Sequence, residues 1–550
     1  MIHVKKVLWL LFLLSVFAIS SFACTTIAVT KGASVDGSVM VTHTADCGSC
    51  DFRLVRIPAA DHEAGSLRPV YPFIEGYPRY AGKDMGPGYD TPGFEPTKPL
   101  GYIDQVPHTY AYFDAVYGVM NEHQLAIGEC TTAGKVYAQP KENVCIFDVA
   151  ALSRVAMERC TKAQEAIALM GDLAVKYGYY GWGETLTVAD TEEVWVFEIT
   201  ATPDQKSALW VAKKVPDGEV FVESNEFRIR EVLTNDPNMM YSPNLFEVAK
   251  AEKWWNPETD KELDWLKTVS PGEYSNAYYS LRRVWSVLRR VAPSLNLSPY
   301  VEDTYTKAYP FSVKPDKKLS VADVFALHRD WYEGTEFDLT KGLAAGPFGT
   351  PNRFAGGSKL LKGAWERSVS VFRCDYSFVA QVRSWLPDAI GGVIWWGPDA
   401  PLGTAYVPFY CSHEDLPDAY DTGSHKQFDP SIAFWAHSFA ANWADLKFSY
   451  MIEDIKAMQE KVEGRQFTVQ PAIENAALQL YKVDPELAVE FLSEYCTNNA
   501  NRVVNEWWEF GQSLVTRYND GYVDGKSVGY PDWWLKEVGY EDGPQKYGLK

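Results

Sequence analysis

Two short runs decide the fold: residues 24–29 (CTTIAV) and 38–44 (SVMVTHT), separated by residues 31–37 (KGASVDG). Both runs are rich in β-branched residues, and the segment between them carries Gly32 and Asp36-Gly37, so the pair predicts a β-hairpin. The residues ahead of the hairpin have a different character. Lys5 and Lys6 form a short positive region, residues 7–19 (VLWLLFLLSVFAI) are apolar apart from Ser15, and Ser21-Phe22-Ala23 puts small residues three and one positions before Cys24. That is the pattern of a secretory signal peptide cleaved after residue 23. The apolar run falls short of the roughly 20 residues that span a bilayer, and no later stretch qualifies. Export would thus leave Cys24 as the first residue. Lipid-modified chains also begin at cysteine, but Ser21 stands where their sites place Leu.

Composition narrows the classes. The chain has 550 residues, 46% of them hydrophobic, which rules out disorder and disulfide mini-proteins. Length alone suggests roughly 3–4 domains of about 150 residues each. The formal charge is −20 and no basic tract interrupts the excess of acids, so nucleic acid is excluded as a partner. Aromatic residues make up 14%, including 19 Trp and 32 Tyr, a usage suited to large cores and carved small-molecule pockets. Nine cysteines are present. An odd count in an exported protein points to one free thiol, and setting Cys24 aside leaves an even number. Cys47-Gly48-Ser49-Cys50 has the spacing of a small disulfide, and without a second ligand pair it does not read as a zinc site.

Along the chain, residues 78–99 form a Gly/Pro-rich loop. Residues 117–120 and 124–130 make a β pair across Asn121-Glu122-His123, with Asn121 as a turn residue. Asp148 caps a helix to about Cys160, and a second helix spans 162–177. Residues 184–189 and 193–199 form a hairpin, followed by strands at 207–213 and 219–223. A mixed stretch at 233–266 leads to a helix at 275–291. Strands are expected at 370–383, 391–396 (where Trp395-Trp396 reads as core) and 404–410, then one long amphipathic helix at 434–462 and further helix to about 515. Strands first and helices last argue for α+β with layered sheets. No internal repeat is visible.

A chain that begins at Cys24 carries a thiol and a free α-amine on one residue. The amine titrates near 8 and the thiol near 8.5, so the amine serves as base for the thiol beside it, the arrangement of N-terminal nucleophile amide hydrolases. Cys24-Thr25-Thr26-Ile27, Asp36-Gly37-Ser38 and Val41-x-His43-x-x-Asp46 resemble the opening of the family C69 dipeptidases, which group with the choloylglycine and penicillin V acylases. The resemblance continues at Tyr117-Gly118-Val119-Met120-Asn121-Glu122-His123, Glu223-Ser224-Asn225-Glu226-Phe227, Tyr278-Tyr279-Ser280-Leu281-Arg282-Arg283 and Gly391-Gly392-Val393-Ile394-Trp395-Trp396-Gly397-Pro398. These blocks, in order, span nearly the whole mature chain.

The resemblance implies an αββα fold: two antiparallel sheets between helical layers, with a C-terminal helical extension. It divides the chain into a signal peptide (1–23), a catalytic core (24–425) and a helical region (426–550). It implies that Cys24 attacks an amide carbonyl, that Asp46 holds the α-amine, that Asn225 helps form the oxyanion hole, and that an arginine of the Tyr-x-x-x-Arg-Arg segment, chosen as Arg282, points into the site. Thr131 aligns loosely with a second oxyanion donor. His43 stands where relatives carry arginine, so the cation beside the thiol must come from a protonated His43 or from another arginine. No metal or organic cofactor is implied. The expected protein is a secreted or periplasmic cysteine dipeptidase acting on dipeptides or short peptides, with homo-oligomerisation left open. The alternatives are an acylase on N-acyl amino acids or bile-salt-like conjugates, and a catalytically silent envelope binding protein.

Overall fold

The computed structural model describes residues 24–272, 279–301, 303–354 and 366–543. The expected signal peptide, 1–23, and part of the segment preceding Tyr279 lie outside the described residues.

Thr26–Val29 and Val39–Thr44 pair antiparallel, with Ala28 opposite Val41. They lie at the centre of a seven-stranded sheet with the spatial order 312–313, 220–223, 26–29, 39–44, 376–382, 393–398 and 407–410. An eight-stranded sheet faces it, in the order 239–241, 208–214, 194–201, 183–189, 126–132, 118–121, 112–114 and 55–57. Every named pairing in the two sheets is antiparallel. All six residues of Val39–Thr44 are buried, because the strand is covered on both faces.

The sheets meet closely. Thr26 Oγ1 lies 2.7 Å from the Thr42 carbonyl and 2.9 Å from Thr187 Oγ1. A Cβ on Gly128 would sit 2.2 Å from the Thr42 carbonyl oxygen, so only glycine lets Ala126–Thr132 approach Val39–Thr44 this nearly.

Helices Val149–Arg159 and Ala163–Tyr177 pack on the eight-stranded sheet, and Leu281–Val291 and Val321–His328 pack on the seven-stranded one. The result is the αββα layering expected. Asp148 caps the first of these helices through the Ala151 amide at 2.8 Å. Trp395 and Trp396 are buried, and Trp396 stacks on Tyr376 with centroids 4.4 Å apart. Asn121 is structural: its amide group donates to the carbonyls of Met157 and Cys160.

Two expectations are corrected. The helix expected at 434–462 is broken: Ala433–Ala444 ends at a 3-10 turn, Asp445–Lys447, and Phe448–Val483 begins a new helix. Asp445 accepts hydrogen bonds from Thr350 and Asn352, and the Lys447 ammonium is drawn inward to the Tyr518 carbonyl at 2.8 Å. These tertiary contacts outweigh the local helical pattern. Pro485–Tyr518 then returns antiparallel in chain order and packs against the edge strand Val407–Tyr410. The cysteine arithmetic also differs. Cys47–Cys50 is a disulfide, but besides Cys24 the thiols of Cys130, Cys145, Cys160, Cys374, Cys411 and Cys496 are all free and buried, where they pack as small apolar side chains. Among the described residues no helix is long and apolar enough to cross a membrane.

Candidate active site

Cys24 stands at the head of the first strand, between the two sheets, and is only 5% exposed. Burial pushes its thiol well above the usual range, and the nearby carboxyls of Glu129 and Asp46 add to this. The Asp46 backbone amide and the Arg367 guanidinium act the other way.

Asp46 follows the second strand. Arg367 pairs with its Oδ2 at 2.5 Å, Thr44 Oγ1 donates to the same oxygen at 3.2 Å, and Arg373 donates to its backbone carbonyl. Burial raises the Asp46 carboxyl, while Arg367, Arg373 and Arg283 hold it down. Asn225 sits just past Val220–Glu223 in the left-handed region (φ 64°), which asparagine tolerates better than most residues. Its Oδ1 accepts from Arg283 at 2.6 Å and Arg367 at 3.0 Å, which fixes the orientation of the amide. The Nδ2 group, held at the opposite end, donates to the Thr131 carbonyl at 2.6 Å. Arg283 also donates to the Cys24 carbonyl at 2.7 Å and to Thr25 Oγ1 at 3.0 Å. Two guanidiniums thus tie Cys24, Asp46 and Asn225 into one buried network.

The choice of Arg282 is corrected. Its guanidinium lies 3.6 Å over the Phe337 ring, bonds the Pro299 carbonyl and pairs with Glu366 at 3.3 Å. Successive residues on an α-helix point about 100° apart, and it is the Arg283 side that faces Cys24. His43 supplies no cation. Burial lowers it to about 4, its Nδ1 is 2.9 Å from the Glu129 carbonyl oxygen, and Tyr117, Tyr376 and Phe378 surround the ring. The permanent charges come from Arg283 and Arg367 instead. Thr131 is near the site, but its hydroxyl is directed to Glu129 Oε1 at 3.1 Å.

Sequence reasoning missed Arg367 and Glu129. Arg367 belongs to none of the family-like blocks, and its only signal was the missing arginine at position 43. Glu129 was visible as a lone charge in the strand Ala126–Thr132. One potential ligand atom from each of Cys24, His43 and Glu129 lies within 4.8 Å of the others, so these three are the residues able to hold a metal ion at the site. Cys47, Cys50 and Glu75 also cluster, but there the disulfide occupies both sulfurs.

The sequence family model described as Peptidase family C69 matches residues 23–461, most of the chain, starting one residue before Cys24. The chain belongs to peptidase family C69. The match ends inside the helix Phe448–Val483. A probable dipeptidase of Latilactobacillus sakei is 28% identical over 83% of this chain and 89% of its own. A probable dipeptidase of Salmonella dublin is 27% identical over 70% and 81%. Penicillin V acylase from Agrobacterium tumefaciens superposes only loosely, with a TM-score of 0.28 and 10% identity over 70% of this chain and 86% of that one. Within the C69 match, Cys24, His43, Asp46, Glu129, Thr131, Asn225, Arg283 and Arg367 all fall between its two ends.

Proposed function

We propose that this C69 peptidase is an exported cysteine dipeptidase whose nucleophile is Cys24, exposed by removal of residues 1–23. The observation that carries the reading is the buried network in which Arg283 and Arg367 join Cys24, Asp46 and Asn225.

While residue 23 is attached, the Cys24 nitrogen is an amide and cannot act as base. Cleavage converts it to an amine, for which Asp46 is the nearby acceptor. The amine takes the thiol proton and the sulfur attacks the peptide carbonyl carbon, forming a tetrahedral oxyanion. The Asn225 Nδ2 group carries two protons: it donates to the Thr131 carbonyl and, at 3.5 Å, to the weak acceptor Cys130 Sγ, and the oxyanion takes the second proton by displacing that sulfur contact. The intermediate collapses by breaking the C–N bond, and the leaving amine takes the proton from the Cys24 ammonium. Water, deprotonated by the same amine, then resolves the thioester and releases the first amino acid. The Arg283 and Arg367 charges stabilise the anionic forms along this path without exchanging protons, since guanidinium stays protonated.

Two measurements test this reading. The intact mass of the secreted protein should correspond to a chain starting at Cys24 without lipid. Dipeptide hydrolysis by that protein should be abolished in Cys24→Ser. Turnover of N-acyl conjugates alone, or no turnover of any amide, contradicts it.

A further inference from the structure

A cavity of about 280 Å³ has walls that include Phe73, Tyr117, Tyr179 and Trp182, with Thr131 and Glu184 among the polar groups. Pockets for drug-sized ligands run from roughly 300 to 1,000 Å³, so this space suits one or two residues rather than an extended peptide. Two features connect it to Cys24. Tyr117 lines the cavity and packs edge-on against His43 with centroids 5.8 Å apart. Thr131, also in the lining, donates to Glu129, whose carboxylate lies within 4.8 Å of the Cys24 sulfur.

Glu129 and Glu184 are the unusual pair. Glu184 stands opposite Thr131 in the ladder between Ala126–Thr132 and Gly183–Ala189, and Glu129 is two residues away on the same strand as Thr131. Their carboxyl groups are in hydrogen-bonding contact. Burial disfavours charge on both, the interaction with Glu129 raises Glu184 further, and hydrogen bonds from Glu184 and Thr131 act the other way on Glu129. Each keeps a buried oxygen, Oε2, with no hydrogen-bond partner. The groups facing them are the neutral His43, Tyr117, Tyr179, Thr131, the Cys24 thiol and the further acid Glu223. No described residue lining the cavity is Lys or Arg, and Arg283 and Arg367 are engaged by Asn225, Asp46 and the Cys24 carbonyl. A buried acid pair with unfilled acceptors and aromatic walls is suited to an organic cation.

The reach matches a peptide. A carbonyl carbon in position for attack lies about 3–3.5 Å from the sulfur. The α-nitrogen of the same residue is two bonds further on, about 2.5 Å from that carbon. Glu129, within 4.8 Å of the sulfur, is then within reach of an α-ammonium group placed on its side of the sulfur. We propose that Glu129 and Glu184 form the subsite that captures the free α-ammonium of the substrate's first residue, while that residue's side chain fills the aromatic cavity. The inference rests on the dipeptidase reading and adds its reason: the site requires an unblocked N-terminus.

The test separates the two claims by measuring binding and turnover independently. In the mature Cys24→Ser protein, calorimetry should show Phe-Ala binding about tenfold or more tighter than 3-phenylpropionyl-Ala, which lacks only the amine, as expected for one charge-assisted contact. Adding Glu184→Gln should bring the two affinities to within about threefold. Equal affinities in Cys24→Ser, absence of Phe-Ala binding, or a preference that survives in folded Glu184→Gln overturns the subsite. If Glu184→Gln does not fold, the comparison of the two ligands in Cys24→Ser decides alone. A preference for the amine in a protein whose wild type hydrolyses no dipeptide sustains the subsite and defeats the dipeptidase reading. Wild-type turnover of both compounds at equal kcat/KM does the reverse.

Discussion

Asn225 separates its two ends: Oδ1 is held by two guanidiniums, and Nδ2 faces the Thr131 carbonyl. Asn225→Asp keeps the acceptor for both arginines, and aspartate also tolerates the positive φ, but the N–H donors are lost. The expected outcome is kcat on a dipeptide reduced about 10²–10³-fold, the usual effect of removing one oxyanion donor, together with a lower Tm, because a carboxylate oxygen replaces the donor 2.6 Å from the Thr131 carbonyl. The two adjacent arginines give a second contrast. Arg283→Ala removes the link between Cys24 and Asn225 and should lower kcat/KM about 100-fold, the scale of a misplaced reacting group. Arg282→Ala loses its packing over Phe337 and its pairing with Glu366, so Tm should fall while kcat stays within about threefold. Parallel kinetics and thermal melts on the two variants check this. Cys24, Asp46 and Asn225 were legible in the sequence because each sits in a short contiguous block. Arg367 was not, since it reaches Asp46 across 321 positions and only the fold brings the two together.

Elements were legible where local pattern and tertiary demand agree. The opening hairpin, the Asp148 cap and the strands on either side of Asp190-Thr191 are all present with ends shifted by a residue or two. The single helix expected across Asp445–Lys447 fails because the break depends on Thr350 and Asn352, which come from a distant loop, and no helical periodicity records them. The spacing between the sheets was equally invisible, since Gly128 reads as an ordinary strand glycine until Thr42 is placed against it. Gly128→Ala would put a methyl group 2.2 Å from the Thr42 carbonyl and 2.8 Å from Thr26 Oγ1, on backbone that supports Cys24. Overpacking of this kind costs about 1–3 kcal/mol or more. Urea titration should show a lowered midpoint with an unchanged slope, and the loss should exceed that of Gly464→Ala, a helix position with nothing within 4 Å of the added carbon.

The layered architecture was legible from the order of strands and helices, but the charge state of the interior was not, because it depends on which acids the two sheets enclose. Burial raises Glu198 and Glu75 to about 7, and raises Glu184 and Glu223 as well. In the unfolded chain these carboxyls ionise near 4.3. The folded state therefore binds more protons than the unfolded state between those values, and the stability these groups contribute, complete at low pH, is lost as pH rises through the folded values near 7 and beyond. The buried histidines oppose this over a different window. His43 and His437 are lowered to about 4, and His328 and His413 to about 3, so they stay neutral in the fold. Their contribution is complete above the unfolded value of about 6.5 and is lost only as pH falls below it. From pH 6.5 upward the histidines are silent, while the strongly raised Glu184 and Glu223 and, toward pH 8.5, the buried thiols all lose stability as pH rises, so Tm should fall from pH 6.5 to 8.5. Glu198 accepts the backbone amides of Arg228 and Ile229 at 2.7 and 3.1 Å, bonds that the amide oxygen of glutamine can also accept. Glu198→Gln should therefore remove its share of the decline, which lies between about pH 4.3 and 7, while leaving the fold intact, and a Tm series at half-unit steps from pH 5 to 8.5 on both proteins measures the difference. A wild-type Tm that is level or rising from pH 6.5 to 8.5 contradicts the idea that buried acids control stability there.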